Sequence, residues 1–128
     1  MHRPNKILKD YKKLHHFFEN GEVFTAFDTE TTDVSPTTGR IMELGAVKFN
    51  KDGVIGTFSK LINPGTPIPS FVINLTHITD EMVKDSPFMK DVLPSFLEFI
   101  GDTILIAHNA GFDLNFLNAE CEWAGLPL

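Results

Sequence analysis

The stretch "FDTETT" (27–32) ends an apolar run with two acids one residue apart, Asp28 and Glu30. Residues two apart on an extended strand project to the same face, so these carboxylates share a side while Thr29 points away. Two ionised carboxylates held together repel. Beside an apolar core, that repulsion raises a pKa or calls for a cation. Hard divalent ions such as Mg²⁺ are bound by such oxygens, with water and substrate phosphates completing the shell. Taken alone, acids at this spacing usually mark no more than a solvated strand edge. A third acid, Asp113, lies in the first turn of a helix that follows the apolar run "TILIA" (103–107). Alone, it would merely complement the helix dipole. If the two strands are parallel neighbours, however, they end at one sheet edge, where ligands gather in open α/β folds. Asp28, Glu30 and Asp113 are then expected to converge. An all-carboxylate set favours Mg²⁺ or Mn²⁺ over zinc.

The positioning elements follow from patterning. Residues 22–28 read as a strand with apolar residues on both faces, which predicts cover on both sides. Residues 39–50 and 54–63 flank "NKDG" and predict a β-hairpin. "PGTPIP" (64–69) is a rigid extended loop, and Thr79 to Asp85 a short helix. A helix is expected over 86–101, opened by Ser86-Pro87 and stopped by Gly101, with a kink or restart at Pro94. A last helix covers 112–127, with Leu117, Cys121 and Ala124 on one face and Gly125 at its end. The leader (1–21) places Ile7, Leu8, Tyr11, Leu14 and Phe18 at helical spacing with lysines opposite, an amphipathic N-terminal helix. The order strand, hairpin, helix, strand, helix argues for an α/β fold, a mixed sheet with flanking helices over 22–128.

Charge restricts the partners. Arg3, Lys6, Lys9, Lys12 and Lys13 against Asp10 give the first 16 residues a formal +4. The remainder carries −10, for a total of −6. An acidic body is a poor general nucleic-acid binder, because phosphate contact relies on Lys and Arg. Any nucleic-acid role must come from a local site, bound cations or the basic leader. The single cysteine, Cys121, excludes an internal disulfide. With no apolar run long enough for a membrane span, a soluble cytoplasmic protein is expected.

Four segments, "FDTETT", "TTGRIMELGAVKFN", "THITDEMVKDSP" and "FLEFIGDTILIAHNAGFDLNFLNAE", together resemble the DnaQ-like 3′–5′ exonucleases of the DEDD superfamily. The likeness runs over residues 23–127 and is strongest to the proofreading members that serve bacterial DNA polymerase III. The resemblance implies a ribonuclease-H-like fold and two-metal hydrolysis of phosphodiesters at a single-stranded DNA 3′ end. Asp28 and Glu30 match the first motif's acids and Asp113 the second's, as catalytic residues and metal ligands. Leu75 and Thr76 match a region that abuts the terminal nucleotide, Leu75 as an apolar wedge and Thr76 as a polar contact. Thr29 and Thr31 read either as backbone or hydroxyl contacts beside the first motif or as ordinary strand-end threonines. Asn109 and Phe112 are expected along the groove, with core as the alternative for Phe112 and the stronger one. His77 stands where relatives often carry glycine. Glu43, within an apolar strand, reads as a hydrogen-bonded structural acid. A DNA polymerase catalytic subunit is the implied protein partner. Two alternatives stand beside proofreading: trimming of RNA by the same fold, and a non-catalytic remnant that binds a nucleotide or a partner.

The family's third motif, a histidine base followed five positions later by an aspartate, has no match in these 128 residues. His108 and Asp113 have that offset but belong to the second motif. The expected fold therefore lacks its C-terminal part, and exposed apolar surface there favours self-association. A general base is typically worth roughly 10²–10⁴ in rate. The 128 residues alone should trim a single-stranded oligonucleotide slower by that order than a complete family member. Gel analysis of an end-labelled strand measures this, and trimming at the ordinary family rate would refute it.

Overall fold

A computed structural model of the chain describes residues 11–107 and 110–125. Strand β1 (Phe24–Thr31) turns through a loop into β2 (Ile41–Asn50), which hairpins into β3 (Gly53–Leu61). Both pairings are antiparallel, and β4 (Ile104–Ile106) joins the other side of β1 in parallel, giving the order β3-β2-β1-β4. The hairpin forms where "NKDG" places a glycine that accepts a positive φ of 127° at Gly53. The β1–β2 loop is tied by Asp33, which accepts from the Val34 N–H at 2.7 Å and the Thr38 hydroxyl at 2.7 Å. It also needs Gly39: a Cβ there would sit 2.9 Å from the carbonyl oxygens of Asp33 and Ser35.

Helices cover one face of the sheet. Phe27, Leu44, Ala46 and Leu105 pack against Leu93, Phe96, Leu97 and Ile100 of α4 (Met89–Ile100) and against Phe116, Leu117 and Cys121 of α5 (Ala110–Trp123). Each large side chain buried there contributes roughly 1.5–3 kcal/mol. A second cluster, Met42 with Ile68, Val72, Ile78 and Val83, anchors α2 (Ser70–Thr76) and α3 (Asp80–Val83).

The opposite face is only partly covered. Among the described residues, α1 (Tyr11–Glu19) sits over its lower end, where Phe18 meets Phe24 at 6.2 Å between ring centroids and Phe24 stacks on Phe49 at 5.7 Å. Beyond Phe24, an open depression of about 560 Å³ is lined by Ala26, Asp28, Gly45, Val47, Thr57, Ser59 and Ile106, among others. The expectation of a strand covered on both sides therefore holds for the start of β1 and fails from Ala26 onward. Of the leader, the described part is helical; Ile7 and Leu8 lie outside the described residues.

Two further readings are corrected. The helix expected from Ser86 begins at Met89, with Phe88 as its N-cap and no side-chain cap. Residues 87–88 are instead held extended by the Asn63 N–H donating to the Pro87 carbonyl at 2.9 Å and by a bridge between Asn63 and Phe88. Exposed Pro94 causes no restart, and α4 runs unbroken to Gly101. Helix α2 was not legible in the sequence, because seven residues with a β-branched centre carry little helical signal. It ends on His77, whose φ of 62° is the only positive value at a described non-glycine residue.

Helix α5 is fastened to the sheet by Glu120, which is 2% exposed. Its carboxylate accepts from Arg40 Nη2 at 2.8 Å, Arg40 Nε at 3.3 Å and the Ile41 backbone N–H at 3.1 Å. Removing the carboxylate strands the buried Ile41 N–H, while Arg40, at 35% side-chain exposure, keeps access to water. Glu120→Ala should therefore cost roughly 1–3 kcal/mol, read as a lowered urea midpoint at unchanged m-value. A cost under about 0.5 kcal/mol would show the contact to be incidental.

Candidate active site

β1 stays extended through Thr31, so Asp28 and Glu30 do lie on the same face of the strand, the one opposite the helices. Asp28 is exposed and accepts from the Thr29 N–H at 3.0 Å. Its cross-strand partner is Gly45, whose missing side chain leaves open space beside the carboxylate. The pairing then shifts between Glu30 and Thr31, an irregularity of the kind that re-aims side chains at a strand end.

Thr29 points the other way, into the helical layer. Its hydroxyl donates to Asp113 Oδ1 at 2.6 Å, and both residues are buried, at 6% and 3% exposure. Asp113 thus reaches the strand from below, against the residue that separates Asp28 from Glu30. The three acids meet around the end of β1 rather than on one surface. Among the described residues, no three His, Cys, Asp or Glu side chains already form a group able to hold a metal ion.

Glu30 registers the crowding. Its carboxyl is held above the ordinary glutamate value, first by burial and then by the negative charges of Asp28, Glu43 and Asp113. Glu43 is its direct cross-strand partner. The reading of Glu43 as a hydrogen-bonded structural acid is corrected, since among the described residues its carboxylate accepts no hydrogen bond and adds like charge to Glu30. That juxtaposition follows from the β1–β2 register, which the loop between those strands leaves open in the sequence. Like charges directly opposite destabilise a sheet, so the cluster costs folding energy that a bound cation would offset. An oxygen-only donor set with this charge excess suits a hard dication.

The other sequence-derived positions scatter in role. Thr29 commits its one hydroxyl proton to Asp113, and the Thr31 hydroxyl donates to the Asp33 carbonyl at 2.8 Å. Thr76 donates to the Val72 carbonyl and accepts from the Ile78 N–H, closing α2. Leu75 is 78% exposed. Phe112 packs partly against the core and meets Phe116 at 4.9 Å between centroids. Asn109, like His108, lies outside the described residues.

Residues 25–125 match the profile of the exonuclease family described as RNase T-type. The chain belongs to this exonuclease family. Its relatives include the DNA polymerase III subunit epsilon of Treponema pallidum, 50% identical over 97 residues, covering 76% of this chain and 45% of the subunit. The PolC-type DNA polymerase III of Caldanaerobacter subterraneus is 45% identical over 105 residues, covering 82% of this chain and 8% of the polymerase. The chain thus spans less than half the length of these relatives. Among solved structures, exonuclease X in complex with 5′ overhanging duplex DNA superposes with a TM-score of 0.63 at 32% identity, over 73% of this chain and 53% of that one. Exonuclease I superposes with a TM-score of 0.75 at 16% identity, over 83% and 26%, a likeness of fold. The α/β mixed sheet is therefore the ribonuclease-H-like exonuclease sheet in part, homologous to the polymerase III proofreading domains. Exonucleases of this family depend in general on divalent metals. No helix among the described residues is long and apolar enough to cross a membrane.

The sign of the Glu30 effect can be tested. A carboxyl raised in the folded state binds more protons than it does unfolded, so stability falls as pH rises from the ordinary glutamate range through the folded pKa. Glu30→Gln removes that fall. In metal-free buffer its urea midpoint should exceed the parent's at about pH 7 and approach it near pH 4. A variant less stable than the parent at neutral pH would contradict the electrostatic account.

Proposed function

We propose that this chain carries the acidic centre of a divalent-metal-dependent 3′–5′ exonuclease of DNA-proofreading type, which releases nucleoside monophosphates from a single-stranded 3′ end. The observation that carries this reading is the pairing of Asp28 and Glu30 on one face of β1, with Asp113 anchored by Thr29 to the residue between them. Asp28 and Glu30 would hold Mg²⁺ or Mn²⁺, and Asp113 would support the pair from beneath. Bound there, two such ions supply an acidified attacking water and charge stabilisation for the leaving 3′-oxygen.

The chain's own residues do the positioning. Thr29 fixes the rotamer of Asp113 through its 2.6 Å hydrogen bond. Exposed Leu75 offers an apolar edge for the terminal base, with Thr76, Thr31, Asn109 and Phe112 as the remaining substrate contacts. Nucleotide chemistry at an acidic surface also fits the charge balance, since bound cations rather than Lys or Arg would meet the phosphate. Membership in a replication family supports a cytoplasmic location and a DNA polymerase catalytic subunit as partner. A second reading, a non-catalytic nucleotide-binding or partner-binding domain, draws on the lack of a ready three-ligand group among the described residues.

Thermal melting with Mn²⁺ separates the readings. A cation that binds the native state at 100 times its Kd stabilises by about 2.7 kcal/mol, a shift of roughly 10 °C for a domain of this size. The parent should show such a rise and Asp28→Ala should lose it. No response in the parent would leave the non-catalytic reading in place. Parallel digestion of single-stranded DNA and RNA oligomers then assigns the substrate, because the 2′-OH alone distinguishes them.

A further inference from the structure

A second pocket lies at the far end of α5. It has a volume of about 350 Å³ and is walled by Arg40, Pro64, Gly65, Phe88, Lys90 and Trp123, with Glu120 at its base. Two large aromatic side chains stand half exposed here, Phe88 at 47% and Trp123 at 48%. The guanidinium of Arg40 lies 4.6 Å from the centroid of the Trp123 ring. It is held there by two hydrogen bonds to buried Glu120, so it acts as a fixed plate bracing the indole. Glu120 neutralises Arg40. Lys90 makes no ion pair among the described residues and supplies the pocket's uncompensated positive charge.

A braced, half-exposed indole beside a cation selects a planar ring that carries negative charge. Nucleic-acid strands have that chemistry: bases stack on aromatic faces while basic groups follow the phosphates.

We propose that this pocket is a stacking subsite for a single-stranded nucleic acid, with a base on Trp123 and a phosphate on Lys90. The assignment rests on the nuclease reading above for its strand polarity, not for its binding chemistry. Trp123 is the only tryptophan in the chain, so its fluorescence reports on this pocket alone.

The 128-residue chain is titrated in EDTA with decathymidylate and with decauridylate, following tryptophan emission and the anisotropy of end-labelled strands. Quenching is expected with at least one of them, and the two arms show whether the subsite takes DNA, RNA or both. Trp123→Ala should weaken labelled-strand binding roughly five- to a hundredfold, and Trp123→Phe much less. Lys90→Ala should reduce the slope of log affinity against log salt by about 0.7. Strand binding without quenching, equal quenching by inorganic tripolyphosphate, or no binding of either strand would each overturn the subsite. Trimming of an oligomer with Mn²⁺ keeps the two claims separable. Asp28→Ala should abolish trimming and leave quenching intact, whereas trimming kept with quenching absent removes only the subsite.

Discussion

Two buried carboxylates on one helix organise this domain. Asp113 and Glu120, at 3% and 2% exposure, lie on nearly the same face of α5, one receiving the Thr29 hydroxyl and the other Arg40 and the Ile41 N–H. A charged group leaves water at a cost of several kcal/mol unless every lone pair finds a donor. Among the described residues, the sheet offers donors to them at the end of β1 and the start of β2. Apolar contact between α5 and α4 or the strands would tolerate a shift along the helix axis. The two carboxylates would not, because a shift of one turn unpairs both. The register of α5, and with it the location of Asp113 beside Asp28 and Glu30, is therefore set by polar satisfaction, while the energy of association comes from Phe116, Leu117 and Cys121 in the core.

This division explains why the two acids on β1 and the acid on α5 sit in such different surroundings. Asp28 is exposed on an open face beside a glycine, and Asp113 is enclosed and hydrogen-bonded. Glu30 lies between those extremes and carries the electrostatic consequence, its proton held more tightly by burial and by three neighbouring carboxylates. A site arranged in this way is less stable empty than filled with positive charge. Stability is lost in the apo domain where function would gain it, as at many functional sites.

Much of this was readable from the chain. The strand alternation, the "NKDG" turn and the i, i+2 acids specify β1, the hairpin and the shared face of Asp28 and Glu30, because a period of two is a local property. The parallel pairing of β4 with β1 entered the sequence reading only as a condition, and the structure supplies it. What escaped was non-local. The start of α4 at Met89 depends on Asn63 capturing the Pro87 carbonyl, a contact from 24 residues upstream. The pairing of Arg40 with Glu120 spans 80 residues and leaves no pattern in either local segment. Glu43 was misread because its pairing with Glu30 depends on the β1–β2 register, which is set across the loop of residues 32–40 and is not fixed by local alternation. Thr29 was taken as a substrate contact, but its inward hydroxyl serves an acid 84 positions away.

The uncovered face of the sheet bears on how tightly the acidic centre grips a cation. Ala26, Gly45 and Ser59 form a shelf of small side chains leading up to Asp28. Any body that seats on this shelf displaces water from the neighbourhood of Asp28 and Glu30 and lowers the local dielectric. Attraction between carboxylate and dication then strengthens, and so does the mutual repulsion of the empty acids. Seating and ion capture would then be thermodynamically linked: an occupant of the shelf would tune affinity at the strand end without touching an ion there, and the ion would in turn favour the occupied shelf.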